Sequence, residues 1–141
     1  MSFLLDTNVL SELRKPVQTM DRNVCAWAAV RHSSDLFLSV ITVPEVEVGI
    51  GRVERKDRIH GQRLRTWLED RVLGEFEDRL LPVDLAVAQC TARLHVPDPR
   101  SERDALIAAT ALVHGLTMVT RNVADFEATG VRLINPWLPT E

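Results

Sequence analysis

The chain has 141 residues, 45% hydrophobic and 26% charged, the profile of an ordinary soluble globular protein. A chain this long can bury roughly 70% of its unfolded surface, so one domain spanning 1–141 needs no disulfide or metal staple, and any metal is expected for chemistry. The formal net charge of −3 argues against non-specific coating of nucleic acid.

Of the 17 basic residues only Lys15 and Lys56 are lysines. The cationic surface is therefore arginine, suited to bidentate phosphate or carboxylate contacts and equally to plain surface ion pairs. Cys25 and Cys90 show no CxxC or His spacing and read as small apolar residues in a reduced setting. Phe3, Leu4 and Leu5 are too short a run for a signal-peptide core, and no apolar run reaches the roughly 18 residues of a membrane span. The expectation is a cytoplasmic protein with no membrane partner.

Phe3 to Leu5 is a short apolar strand ending at Asp6, and Thr7 to Lys15 reads as a helix stopping before Pro16. Asp21 to His32 is a second helix, with Val24, Trp27, Ala28 and Arg31 on one face. Leu36 to Ile41 is a strand, followed from about Val43 by a helix that Thr42 and Glu45 open as a Thr-x-x-Glu capping box. Asp57 to Phe76 is a long helical stretch, with Leu64, Trp67, Leu68 and Val72 as its buried stripe and Gly74 as a breaking point.

Leu80 to Val83 is a third strand, Asp84 caps a helix reaching about Leu94, and Val96 to Arg100 is a loop. Ser101 to Asp104 repeats the capping pattern ahead of a helix apolar on nearly all sides, expected to be central and buried, with Gly115 as its stop. Thr117 to Thr120 and Val131 to Ile134 are the last strands. This β-α-β-α rhythm predicts a parallel sheet covered on both faces, with ligand sites at the carboxyl ends of its strands.

Those ends carry acids. Asp6 closes the first strand, Glu45 follows the second, Asp125 follows the fourth together with Arg121 and Asn122, and Asp104 begins the helix that returns to the fourth. Each has a local explanation: Asp6 as a helix cap, Glu45 and Asp104 as the last members of capping boxes, Asp125 as a turn residue. Four carboxylates converging without an equal set of cations should repel one another and shift their pKa values upward unless a metal neutralises them. Oxygen donors without His or Cys suit Mg²⁺ or Mn²⁺ and disfavour zinc. Such a cage fits phosphodiester hydrolysis.

His32, His60, His95 and His114 share no catalytic spacing, and Trp27 and Trp67 read as core. Residues 49 to 66 carry six basic side chains against Glu54 and Asp57, which suits a solvated helical surface or contact with RNA or an acidic partner.

The segments Leu4-Leu5-Asp6-Thr7-Asn8-Val9-Leu10, Thr42-Val43-Pro44-Glu45 with Gly49, Asp104-Ala-Leu-Ile-Ala-Ala-Thr-Ala111 and Thr120-Arg-Asn-Val-Ala-Asp-Phe126 resemble the PIN domain. More narrowly they resemble VapC/FitB-type toxins of type II toxin–antitoxin pairs, in the right order and along the whole chain. The resemblance implies a three-layer α/β/α sandwich with a parallel sheet of about five strands, a homodimer, and Mg²⁺-dependent endoribonuclease activity.

Carried over by motif, Asp6 and Asp104 match the principal metal-binding acids. Glu45 matches a second acid that helps hold metal or activate water, and Asp125 a fourth, bound less directly. Asn8 and Thr120 match polar positions that orient acids and waters; Arg121 matches a position that touches substrate phosphate or pairs with the cluster. Glu47 is an extra acid on a different helical face. The resemblance further implies a small cognate antitoxin that can place a basic side chain among the acids and that joins the toxin to operator DNA.

The sequence thus supports a metal-dependent ribonuclease and, as the alternative, a PIN-like binding module without turnover whose acidic pocket holds a basic partner segment. A receiver domain, a P-loop and a haloacid dehalogenase fit poorly, for lack of a late lysine, of Gly-Lys-Ser/Thr, and of Asp-x-Asp. Setting aside the four acids leaves 17 basic residues against 16 acidic ones, so the net charge does not exclude a nucleic-acid substrate.

Overall fold

The computed structural model describes residues 1–139; the last two residues of the expected 1–141 domain lie outside them. Five strands form one parallel sheet: β1 (Phe3–Leu5), β2 (Leu36–Ser39), β3 (Leu80–Leu81), β4 (Thr117–Val119) and β5 (Leu133–Ile134), in the order β3-β2-β1-β4-β5. The register sets Phe3 opposite both Leu36 and Thr117, and Leu5 opposite Val119. β1 has its expected length, whereas the other four strands are shorter than the apolar runs from which they were predicted, because only part of each run has ladder partners.

The helices are α1 (Thr7–Leu13), α2 (Arg22–Ala29), α3 (Thr42–Lys56), α4 (Arg58–Thr66), α5 (Leu73–Glu75), α6 (Leu85–Leu94) and α7 (Glu102–His114). Successive residues of β1 point to opposite faces, which puts a core on each side of the sheet. Phe3 and Leu5 pack with Val9, Trp27, Leu38, Ile50, Leu68 and Phe76. Leu4 packs with Ile107, Ala108, Ala111, Met118 and Phe126. This is the α/β/α sandwich expected from the alternation.

Local rules account for most helix starts. Asp21 Oδ1 accepts from the N–H groups of Asn23 and Val24, Asp57 from that of His60, Asp84 from that of Val87, and Ser101 Oγ from that of Asp104. Gly115, at φ 66°, ends α7 in the left-handed conformation that glycine tolerates. α2 ends at Ala29, short of the predicted His32, and Arg31, just past its end, lies over the rings of Trp27 and Phe3, 5.0 and 5.1 Å from their centroids, in a cation–π contact.

Three expectations need correction. Thr42 does not cap α3: the helix already includes Thr42, its hydroxyl is buried without a partner, and Ser39 Oγ accepts the N–H of Ile41 instead. The stretch predicted over 57–76 is helical from Arg58 to Glu75, but not as a uniform α-helix with a break at Gly74. It widens to a π-helix over Trp67–Val72 and continues through Gly74 to Glu75, so the glycine does not break it. Finally, α7 is not buried all round, since Leu112 and Val113 are 37% and 38% exposed.

Cys90 is buried and Cys25 half-buried, and both are free thiols. Trp27 is buried, whereas Trp67 is half-buried under Arg14. In the basic segment, Arg65 pairs with both Glu47 and Glu54, tying α4 to α3, while Arg52, Arg55, Lys56, Arg58 and Arg63 are exposed. Among the described residues no helix is long and apolar enough to cross a membrane.

Candidate active site

Parallel strands put all their carboxyl ends on one edge, and the chain places its acids there. Asp6 directly follows β1. Its N–H extends the ladder by donating to the Val119 carbonyl at 2.9 Å, while its own carbonyl accepts from Val9 and Leu10 at the start of α1. The residue is therefore both the last rung of the central strand and the cap of a helix, with Oδ1 accepting from the Thr7 N–H at 2.8 Å. Its side chain is only 3% exposed.

The other oxygen, Oδ2, accepts from Thr120 Oγ1 at 2.8 Å and from Asn8 Nδ2 at 3.4 Å. Thr120, fully buried after β4, in turn accepts from Asn8 Nδ2 and from the Asn122 N–H. Asn8 Oδ1 accepts from the Arg121 N–H, so Asn8 spans β1 and β4. The Arg121 guanidinium lies 5.0 Å above the Trp137 ring; only its backbone joins this network.

Glu45, in the first turn of α3, turns its carboxylate to Thr7 Oγ1 at 2.9 Å rather than to its own helix end. Asp104 enters from the first turn of α7, which runs antiparallel to β4 and so begins at the same edge. Burial raises the Asp104 pKa above its ordinary value; Arg103 opposes this, while Asp125 and then Asp6 add to it through their negative charges. Asp125, exposed in the turn Val123–Asp125, is thus near enough for its charge to be felt at Asp104.

The expectation of acids without a matching cation is incomplete. Arg103 reaches among them: Nη2 donates to Asp6 Oδ1 at 2.7 Å and to Thr7 Oγ1 at 3.2 Å, Nη1 donates to Asp104 Oδ1 at 3.1 Å, and Nε donates to Glu45 Oε2. Burial works to lower the Arg103 pKa, but Asp6 and Glu45 outweigh it and hold it raised. Among the described residues no three acidic, His or Cys side chains stand as a ready metal cluster; the Arg103 guanidinium lies between Asp6, Glu45 and Asp104.

The donor set itself fits a hard divalent cation: carboxylate and hydroxyl oxygens, with no imidazole or thiolate within it. Arg103 escaped the sequence reading because the capping pattern drew attention to Ser101 and Asp104 on either side. A signal was present, since a cation in the first turn of a helix opposes the macrodipole and needs a nearby anion. Glu47 points away, to Arg65. His95 Nδ1 accepts from the Arg100 N–H, and the other three histidines are exposed.

Comparison with known proteins agrees with this architecture. The PIN domain family model matches residues 3–131, and the chain belongs to the PIN-domain family. It is 38% identical to the VapC ribonuclease Y4jK of Sinorhizobium fredii over 96% of this chain and 98% of that protein. It is 37% identical to the toxin FitB of Neisseria gonorrhoeae over 95% and 97%. The structure of FitAB bound to IR36 DNA fragment superposes with a TM-score of 0.87, at 33% identity, covering 99% of this chain and 98% of that one.

Proposed function

We propose that this protein is the toxin of a type II toxin–antitoxin pair, a metal-dependent endoribonuclease that hydrolyses RNA phosphodiester bonds and is inhibited by a small cognate antitoxin. The observation that carries this reading is the meeting of Asp6, Glu45 and Asp104 around one point, with Asp125 beside Asp104, in a chain that aligns over nearly its whole length with a VapC ribonuclease and a FitB toxin.

In this mechanism Asp6 and Asp104 would hold Mg²⁺, or Mn²⁺, with Glu45 and Asp125 completing the cage. The bound cation would polarise a phosphoryl oxygen, lower the pKa of a bound water and screen the acids from the RNA polyanion. Thr120 and Asn8 hold Asp6 Oδ2, leaving Oδ1 directed to the pocket where Arg103 now lies. Glu45, with a side chain 43% exposed, sits at the mouth, where it can take the proton from the attacking water. Water would add to phosphorus in line with the departing 3′ oxygen; one P–O bond forms as Glu45 takes the water's proton, the P–O3′ bond breaks, and the 3′ oxygen takes up a proton from solvent. The products carry 5′-phosphate and 3′-hydroxyl ends, because no ribose 2′-hydroxyl attacks.

A relative solved as FitAB on a DNA fragment supports a partner antitoxin that carries the toxin to operator DNA. A homodimer and a cytoplasmic location belong to the same proposal. Exposed Leu112 and Val113 on α7 offer an apolar face for self-association.

Asp6→Asn and Asp104→Asn should each abolish cleavage while the far-UV circular dichroism stays that of the parent, and excess EDTA should stop the parent protein. Full cleavage by either folded variant, or undiminished cleavage in EDTA, overturns the mechanism. One observation favours a second reading, a binding module without turnover: the pocket already accepts a guanidinium, that of Arg103. A protein that neither binds Mn²⁺ nor cuts RNA, yet holds an arginine-bearing peptide, would establish that reading instead.

A further inference from the structure

The functional reading gives the acids to a divalent cation, yet a cation from the chain itself already lies among them. Arg103 is bonded through all three guanidinium nitrogens, one to each of three carboxylates on three different elements. A planar fork that satisfies three acids at once cannot share them with an octahedral ion.

The contact is also built to be given up. The Arg103 side chain is 32% exposed, against 3% for Asp6, so it extends into the pocket from its rim rather than from below. A long, flexible stem lets the head swing into water without moving the α7 backbone. At its root Arg103 sits in the first turn of α7, where the helix dipole is itself positive, beside Glu102, which reaches to His95. The three carboxylates, with Thr7 Oγ1, hold its head in the pocket. Once a dication neutralises them, the dipole and the new charge both repel the guanidinium.

We infer that Arg103 is an exchangeable counter-ion, which occupies the acid pocket in the resting protein and must leave it for a divalent cation to bind. The inference rests on the metal reading proposed above and deepens it. Arg103 then sets the concentration of metal at which the pocket loads: it keeps three converging carboxylates tolerable without metal and competes directly with Mg²⁺ or Mn²⁺.

The test is Mn²⁺ binding to the full chain by titration calorimetry, with wild-type protein, Arg103→Gln and Asp6→Asn compared at one pH and salt concentration. Arg103→Gln should bind Mn²⁺ at least about 10-fold more tightly than wild type, and Mn²⁺ should raise its melting temperature more. An equal or weaker affinity in Arg103→Gln overturns the exchange while leaving metal binding intact. Failure of both wild type and Arg103→Gln to bind Mn²⁺ overturns the metal reading instead.

Should Arg103→Gln fail to fold, the wild-type chain carries the same test. With ¹⁵N-arginine labelling, the Arg103 Nε–H resonance should move from its carboxylate-bonded position towards that of a solvated guanidinium as Mg²⁺ is added. An Arg103 resonance that stays fixed while the Thr7 amide, bonded to Asp6 Oδ1, shifts with Mg²⁺ overturns the exchange.

Discussion

Thr120 donates its hydroxyl to Asp6 Oδ2 at 2.8 Å, joining the ends of two neighbouring parallel strands across 114 residues of chain. The hydroxyl also accepts the Asn122 N–H, so one buried oxygen holds both the acid and the turn that leads to Asp125. Thr120→Val keeps the shape and removes that oxygen. It should cost about 1–3 kcal/mol in urea unfolding, the typical penalty for stranding buried polar partners. RNA cleavage should drop by about 10–100-fold, as when a group supporting a metal ligand is lost. Thr120→Ser should restore most of both; parent-level cleavage by Thr120→Val would show that Asp6 needs no such support.

Gly61 is buried where α4 packs against α3, and a Cβ there would meet Glu54 atoms at 2.4 to 2.9 Å, backbone among them. Gly61→Ala should therefore destabilise the protein by about 1–3 kcal/mol through forced separation of the two helices, measured as a lower urea midpoint. Alanine normally stabilises a helix relative to glycine, so the sign of the change identifies the close approach.

Arg79 ties together the start of β2 and the segment before β3. Its guanidinium donates to the carbonyls of Ser33, Leu36 and Glu75 and lies 4.6 Å from the centroid of the Phe76 ring. Arg79→Ala should cost about 1–3 kcal/mol by removing the guanidinium donors from those carbonyls. Hydrogen exchange should quicken first at the Leu38 and Val40 amides, which bond to the Arg79 and Leu81 carbonyls. Unchanged exchange at both would argue that the strand edge does not depend on Arg79.

Glu12 carries a pH dependence whose sign is fixed. The Asp21 backbone N–H, bonded to Glu12 Oε2 at 2.8 Å, lowers the Glu12 pKa below its ordinary 4.5, with help from Lys15. A carboxylate with a lowered folded pKa contributes stability that is complete above the unfolded value and lost as pH falls through the folded one. The advantage of wild type over Glu12→Gln in urea midpoint should thus be present at neutral pH and shrink below about 4.5. A constant gap from pH 7 to pH 3 would remove Glu12 from the acid response.

Much of this architecture was legible because it follows local rules. The short apolar run Phe3–Leu5, the caps at Asp84 and Ser101, and the stop at Gly115 each act within a few residues, so the chain order of strands and helices could be read directly. The convergence of Asp6, Glu45 and Asp104 followed from parallel topology, which sends every strand end to one edge. What escaped depends on contacts between distant elements. Thr42 looks like a cap until the turn at Ser39 takes that duty, and Glu45 is drawn away by Thr7 and Arg103. Arg103 itself is unremarkable beside Asp104 in one dimension; only folding brings Asp6 and Glu45 to it. The widened turn over Trp67–Val72 had no sequence mark, since the apolar stripe continues through it.

The central position of β1 has a consequence in time. Asp6 directly follows β1, but its hydroxyl donor Thr120 lies 114 residues further along the chain. β2 can pair with β1 before then, yet the groups that hold the acid itself come only with β4. On the proposed function, a growing chain carries Asp6 without a finished pocket until Thr120 has been made and folded against it.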